Sequence, residues 1–171
     1  MNHHGMDKPG AVAGAHASRV VPLVVAAALL MENLDSTVLT TAIPTIAVDL
    51  TTDPVHLKLA LTSYLMSLAV FVPASGWMAD RFAPRRVFMA AIIVFTCASI
   101  LCAMSQTLGQ LVAARVLQGM GGAMMSPVGR LLVVRSTAKH DLVSALAWVT
   151  IPALTGPILG PPVGGLIVSY M

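Results

Sequence analysis

Charged side chains are scarce in this sequence of 171 residues, in which Asp, Glu, Lys and Arg together make up only 10%. Soluble domains use roughly 25% charged residues, so the composition excludes an ordinary water-soluble domain. Hydrophobic residues make up 57% of the chain, and its mean hydropathy is +0.84. We therefore expect an integral membrane protein.

The groups that usually carry enzyme chemistry are also few or badly spaced. The two cysteines, Cys97 and Cys102, lie five residues apart and on different faces of a helix, without disulfide or metal-site spacing. No nucleophile–base pair, phosphate-binding loop or metal-ligand spacing stands out, so neither an enzyme nor a resident metal is indicated. The net charge of +3 comes without an array of aromatic and basic residues, which excludes nucleic acid as an expected partner.

Long apolar segments are what the sequence has in abundance. Five of them are close to or above the roughly 18 residues that cross the hydrocarbon core of a bilayer. They predict an all-α membrane protein, a polytopic bundle of helices preceded by a disordered tail over residues 1–19. The predicted spans are Val20–Ala42, Leu57–Met78, Val87–Met104, Leu111–Val134 and Val143–Val168.

Basic residues are concentrated in the tail and in alternate loops. The clearest group is Arg81, Arg85 and Arg86 between the second and third segments, whereas the opposite loops hold only one basic residue, Lys58. Positively charged loops stay on the cytoplasmic side, so we expect a cytoplasmic N-terminus and a fifth segment that ends outside.

Three ionisable side chains fall inside apolar segments, where a charge is costly and indicates function. Glu32 and Asp35 share one face of the first segment, and Arg115 lies at a similar depth in the fourth, which allows an Asp35–Arg115 pair. The membrane favours a neutral acid and a nearby guanidinium favours the carboxylate, and that competition can make a proton switch. The alternatives are a static ion pair between two helices and, for Glu32, a side chain that faces water.

The fifth segment has no charge but contains four prolines and four glycines. Proline and glycine disfavour helices in water, but a backbone inside a bilayer must satisfy its own hydrogen bonds, so we expect a kinked helix. Gly156, Gly160 and Gly164 recur every four residues and form a groove for a neighbouring helix. Both a moving transport core and plain small-residue packing fit this pattern.

Four stretches resemble, in order, motifs of the major facilitator superfamily, in its multidrug–proton antiporter branch, usually the fourteen-helix group. Leu34–Pro44 is similar to the first-helix motif L-D-x-T-V-V-N-V-A-L-P, and Gly76–Arg86 is similar to the loop signature G-x-L-A-D-R-x-G-R-K/R. Leu111–Ala123 resembles the fourth-helix motif with its proton-coupling arginine, and Gly156–Gly165 resembles the antiporter motif G-P-x-x-G-P-x-x-G-G.

The resemblance implies five of the six helices in the N-terminal half of a major facilitator fold, truncated before the sixth, so we expect a fragment. It also implies roles for individual residues. The implied residues are Asp35, Arg115 and Glu32 for proton coupling; Gly76, Asp80, Arg81, Arg85 and Arg86 for a conformational latch; Gln118, Gly119 and Gly122 in the fourth-helix motif; and Gly156, Pro157, Gly160, Pro161, Gly164 and Gly165 in the antiporter motif.

Three positions depart from the motifs. Ala83 stands where the loop signature prefers glycine, Pro84 stands where it prefers a basic residue, and Thr40 replaces the asparagine of the first-helix motif. We expect a stiffer, slightly altered turn at the loop and changed substrate contacts in the first helix.

These features together predict a transporter that exports small amphipathic compounds or drugs by alternating access, in exchange for protons. No cofactor is expected besides the proton gradient. The expected partners are the substrate, protons, the lipid bilayer of a bacterial cytoplasmic membrane and the missing C-terminal half of the transporter. A metabolite uptake transporter of the same fold and a non-transporting membrane interaction module are the alternatives.

Overall fold

The structure is a computed structural model that describes residues 11–49 and 53–170, and over these residues its regular secondary structure is all α-helix, joined by short turns. The expectation of an all-α membrane protein is confirmed. Within these ranges, only the backbone is described for residues 11–19, 43, 44, 48, 49, 54, 152, 153, 157, 160, 163, 164 and 167–170. The helices are α1 Ala11–Asp49, α2 Pro54–Phe82, α3 Pro84–Ala103, α4 Leu108–Ser136 and α5 Leu142–Tyr170.

Each helix contains or closely overlaps one predicted span, but only three of the described helices are long and apolar enough to cross a membrane. These segments are Val20–Ala42, Val55–Phe82 and Pro84–Ala103, and α5 adds a shorter apolar stretch, Leu142–Gly156. Helix α4 is outside this group because it carries three arginines and several small or polar residues. Its many buried positions show that α4 faces other helices more than its surroundings.

The predicted disordered tail over residues 1–19 differs from the structure. Helix α1 begins at Ala11, so residues 11–19 are helical, and residues 1–10 lie outside the described part of the chain. The helical part of this region has alanine at every second position from 11 to 17, and alanine has the highest helix propensity of all residues.

Helix α4 is the centre of the bundle and packs against α2 and α3, while α1 packs against α5. Small residues make these contacts close. A Cβ atom at Gly121 would lie 2.8 Å from the backbone nitrogen of Phe95 on α3, and one at Gly156 would lie 2.6 Å from Cβ of Asn33 on α1. Glycine is therefore required at both positions for the helix axes to stay this near.

The turn between α2 and α3 consists of one residue, Ala83, with φ 65° and ψ 129°. A side chain in this region of backbone space costs about 1–3 kcal/mol, which glycine avoids. Pro84 begins α3 immediately afterwards, where the missing N–H of proline is harmless. Ala83, which stands where the loop signature prefers glycine, is therefore also the one non-glycine residue of the described chain that has positive φ.

Candidate functional site

A buried ion pair connects α1 to α4. Nη1 of Arg115 donates a hydrogen bond of 2.6 Å to Oδ2 of Asp35, and the two side chains are 6% and 21% exposed. These residues are 80 positions apart in sequence, so tertiary structure alone brings them together. We call Asp35 and Arg115 the buried pair.

Glu32 lies one turn before Asp35 on α1, at a junction with α2 and α4. Oγ of Ser126 is 3.4 Å from Oε2 of Glu32 and is placed to donate a hydrogen bond to it. A Cβ atom at Gly122 would lie 3.3 Å from Oε1 of Glu32 and 3.2 Å from the hydroxyl of Tyr64. Any side chain at position 122 would therefore press into this junction, which explains the glycine there.

Gln118 lies one turn after Arg115 on α4 and is fully buried, with 0% exposure. Its Nε2 donates to Oγ of Ser99 over 2.7 Å, and its Oε1 accepts from Sγ of Cys102 over 3.6 Å. Both partners are on α3, so Gln118 joins the fourth helix to the third beside the buried pair. A buried amide satisfied in this way holds two helices in register, because breaking its bonds leaves unpaired polar groups.

Helix α2 is fixed to α4 on the other side of Arg115. Oγ of Ser67 donates to the carbonyl of Val116 over 2.8 Å. A Cβ atom at Gly119 would lie 2.7 Å from Cβ of Ser67 and 2.8 Å from the carbonyl oxygen of Tyr64. Gly119 therefore allows the approach that places the hydroxyl of Ser67 against the backbone of α4.

A cavity of about 600 Å³ lies between α1, α3 and α4 and has the buried pair in its wall. Most of its lining is apolar, with Leu34 and Val38 from α1 and Phe95 from α3 among the contributors. Its other polar side chains are Thr96, Ser99 and Cys102, all on α3. The cavity therefore has one polar wall and is otherwise suited to apolar contents.

The residues predicted to form a latch are located at the junction of α2 and α3. Oδ1 of Asp80 lies 3.6 Å from Nη2 of Arg135 at the end of α4, and the two side chains are 74% and 54% exposed. We call Asp80 and Arg135 the exposed pair. The side chains of Arg81, Arg85 and Arg86 are exposed and form no ion pair with any described residue, and no described atom lies within 4 Å of a Cβ built at Gly76.

The antiporter motif is only partly described. Gly156 is buried against Asn33, whereas Pro161 is exposed and a Cβ at Gly165 would meet no described atom within 4 Å. Pro157, Gly160 and Gly164 belong to the positions whose surroundings are not described. The groove predicted from the glycine spacing thus has one described contact, between Gly156 and α1.

Several contributors to the site were not predicted from the sequence. Tyr64, Ser99 and Ser126 complete the polar contacts of Glu32 and Gln118, and Arg135 was used only for orientation. Isolated serines and tyrosines in apolar helices are common, so their spacing carried no signal. Polar side chains at membrane depth do seek partners, which is the one property that could have drawn attention to them.

The bundle and its buried charges define a membrane-embedded, multi-pass helical protein of the transporter class. The chain belongs to the Major Facilitator Superfamily, whose family description matches residues 25–171. This is a family of transporters, not of enzymes.

Several individual proteins are similar to this chain in sequence. The chain is similar to the "Putative multidrug resistance protein MdtD" of Salmonella paratyphi B, with 48% identity over 147 residues. The proteins of the same name from Salmonella newport and Salmonella typhimurium match equally well, also at 48% identity over 147 residues. Each alignment covers 86% of this chain and 31% of the relative, so the chain spans about a third of the length of these proteins.

Proposed function

We propose that this chain contributes the N-terminal transmembrane bundle, over residues 20–171, of a transporter that exports small amphipathic compounds in exchange for protons. The observation that carries the proposal is the buried pair, a carboxylate and a guanidinium from different helices in a largely apolar bundle. The name of the Salmonella relatives, which refers to multidrug resistance, supports the substrate class. We place the protein in the cell membrane with a cytoplasmic N-terminus, because its basic loops alternate.

In this mechanism, Asp35 is the proton carrier and Arg115 responds to its charge. While Asp35 is ionised, the 2.6 Å hydrogen bond holds α1 against α4. A proton from outside neutralises Asp35, removes most of the attraction and lets the two helices adopt another packing. Because the proton binds one packing better than the other, its entry shifts the population between inward-open and outward-open states.

The exposed pair has a different part in the same cycle. Asp80 and Arg135 connect the adjacent ends of α2 and α4, on the side that the basic loops place in the cytoplasm. An exposed pair contributes at most about 1 kcal/mol, so it can break and reform in each cycle. We propose that this ion pair stabilises one conformation of the transporter. In the other conformation, Asp80 pairs instead with one of the nearby arginines, Arg81, Arg85 or Arg86.

The glycines of α5 serve its movement against α1. The contact between Gly156 and Asn33 is close enough to exclude any side chain at position 156. A surface of small residues can slide or rotate without interlocking side chains, and prolines in the same helix permit local bending.

The test is Asp35→Asn in the complete transporter, reconstituted in proteoliposomes with an imposed proton gradient. Asparagine keeps the size and a hydrogen-bond acceptor but cannot carry a proton, so gradient-driven efflux of an amphipathic fluorescent dye should fall to the background rate. The matched control is Asp53→Asn, since Asp53 is exposed at the start of α2 and asparagine can replace it as a helix cap. Undiminished proton-driven efflux by Asp35→Asn would refute the role of Asp35.

A further inference from the structure

Five polar side chains on α1 bond to the backbone of their own helix. The hydroxyls of Ser36 and Thr37 both donate to the carbonyl of Asn33, over 2.9 and 2.7 Å. Thr40 donates to the carbonyl of Thr37 over 2.7 Å, and Thr41 donates to a carbonyl one turn earlier over 2.8 Å. The amide of Asn33 also donates to a carbonyl one turn earlier, over 2.8 Å. All these contacts lie within α1, so they do not depend on any other part of the protein.

These bonds give the carbonyls of α1 more donors than an ordinary helix supplies. The carbonyl of Asn33 accepts from two hydroxyls and is also the helical acceptor for the backbone N–H of Thr37. Hydroxyls that bond to the preceding turn compete with the helical N–H groups, which weakens a helix and bends it. Pro44 adds to this effect, because it has no N–H for the carbonyl of Thr40 although α1 continues to Asp49.

The concentration of such bonds is particular to α1. In the other described helices, serines and threonines that bond to their own backbone occur singly or as the adjacent pair Thr62 and Ser63 on α2. An isolated bond of this kind is ordinary in an apolar helix. The segment Asn33–Thr41 differs because the bonds follow one another over two turns.

The face of α1 that carries these bonds lies opposite the buried pair. At about 100° per residue, Asn33 and Thr37 are about 40° apart around the helix, whereas Asp35 is about 200° from Asn33. The face with the hydroxyls also packs against α5, where Gly156 contacts Cβ of Asn33. A helix is convex on the side where carbonyls tilt outward and hydrogen bonds lengthen. Bending at this face therefore changes the separation between Asp35 and α4.

We propose that the segment Asn33–Thr41 is a bending point of α1, built from hydroxyl groups that compete with the helical N–H groups for shared carbonyls. The C-terminal part of α1 bends there relative to α4, while the N-terminal part stays in place. The bending itself is independent of transport. Its coupling to the charge of Asp35 rests on the proposed function, because Asp35 lies inside the segment and connects it to Arg115.

Distances between pairs of spin labels, measured by electron paramagnetic resonance, test this bending in the complete transporter in lipid nanodiscs. Every native cysteine is replaced by serine, and labels are attached to Thr45→Cys in the C-terminal part of α1 and Ala113→Cys on α4. The reference pair, Val24→Cys in the N-terminal part of α1 and Val134→Cys on α4, spans the other end of the same two helices. Both pairs lie within one bundle, so rigid movement of the two halves of the transporter changes neither distance.

The distances between labels at 45 and 113 should be more widely distributed than those of the reference pair. Thr45 lies about 12 Å along α1 from Thr37, so a bend of about 20° displaces its label by about 4 Å. Thr37→Val keeps the shape of the side chain without the hydroxyl and should narrow the distribution about twofold. Thr40→Val is a second variant that should act in the same direction. Equal widths for the two native pairs, or a width that neither variant reduces, would overturn the proposal.

Two threonines on other helices provide matched controls. Thr62 on α2 makes one isolated bond to the carbonyl of Lys58 over 2.9 Å, and Thr96 on α3 makes no such bond to any described residue. Thr62→Val and Thr96→Val should both leave the distribution between labels at 45 and 113 unchanged. A narrowing by either control as large as that of Thr37→Val would overturn the assignment of the bending point to α1.

Asp35→Asn tests the coupling to the buried pair separately. Removal of the charge that draws α1 to Arg115 should shift the mean distance between labels at 45 and 113 by about 2 Å or more, without changing the reference pair. A distribution that responds to Thr37→Val but not to Asp35→Asn would refute the coupling. These distances require no transport, so failure here and failure of the efflux test are separate results.

Discussion

The two aspartate–arginine pairs of this bundle use the same chemistry in opposite surroundings. In the buried pair the charged atoms are 2.6 Å apart and the side chains are mostly enclosed, whereas in the exposed pair they are 3.6 Å apart and most of both side chains is accessible. Both pairs join α4 to another helix, α1 in one case and α2 in the other. Environment, and not residue type, therefore decides which pair governs stability and which can act as a reversible contact.

The largest expected effect comes from removing one partner of the buried pair. Arg115→Met should lower the free energy of unfolding by about 3 kcal/mol, because it leaves the carboxylate of Asp35 buried without its cation. The same change in the exposed pair, Arg135→Met, is the matched control and should cost less than about 1 kcal/mol. Unfolding in mixed micelles measures both, and equal losses would contradict the comparison.

The second-largest change in stability is expected when alanine replaces a glycine close to either pair. Gly119→Ala should destabilise the protein by about 1–3 kcal/mol, because the new Cβ would overlap Ser67 and the backbone of α2. Gly76→Ala, near the exposed pair, meets no described atom within 4 Å and should instead stabilise α2 by up to about 1 kcal/mol. The opposite signs are the prediction, measured by thermal unfolding of the two purified variants.

A smaller effect is expected at the turn beside the exposed pair. Ala83→Gly should raise the free energy of unfolding by about 1 kcal/mol, because relief of the positive φ outweighs the greater freedom of glycine in the unfolded chain. Ala90→Gly, in the exposed interior of α3, is the control and should lower it by about 1 kcal/mol. Destabilisation by both changes would mean that the turn is not strained at Ala83.

The smallest effect is the salt dependence of the exposed pair. Asp80→Asn should cost no more than about 1 kcal/mol, and this cost should vanish as ionic strength rises toward 1 M, because exposed charges are screened. The cost of Arg115→Met should largely persist at high salt, since a short and mostly enclosed pair is screened much less than exposed charges. A stability difference for Asp80→Asn that persists at high salt would assign the exposed pair a static structural role.

The buried pair could be predicted from the sequence, whereas the exposed pair could not. Charges inside apolar segments are rare enough to be noticed, so Asp35 and Arg115 could be matched by depth from the sequence alone. The partner of Asp80 could not, because several exposed arginines lie close to it in sequence and the structure pairs it with Arg135 at the end of another helix. Gln118 was noted as part of a motif, but its bonds to Ser99 and Cys102 depend on how α3 packs against α4.

The sequence by itself determined the all-helical architecture and the membership in a transporter family, because apolar segment lengths and short motifs are local properties. Tertiary structure alone decided the cavity beside Arg115 and the junction of Glu32 with Tyr64 and Ser126. These features depend on the distances and rotations between helices. Such distances are set by small-residue contacts such as those of Gly119, Gly121 and Gly156, whose partners lie on other helices.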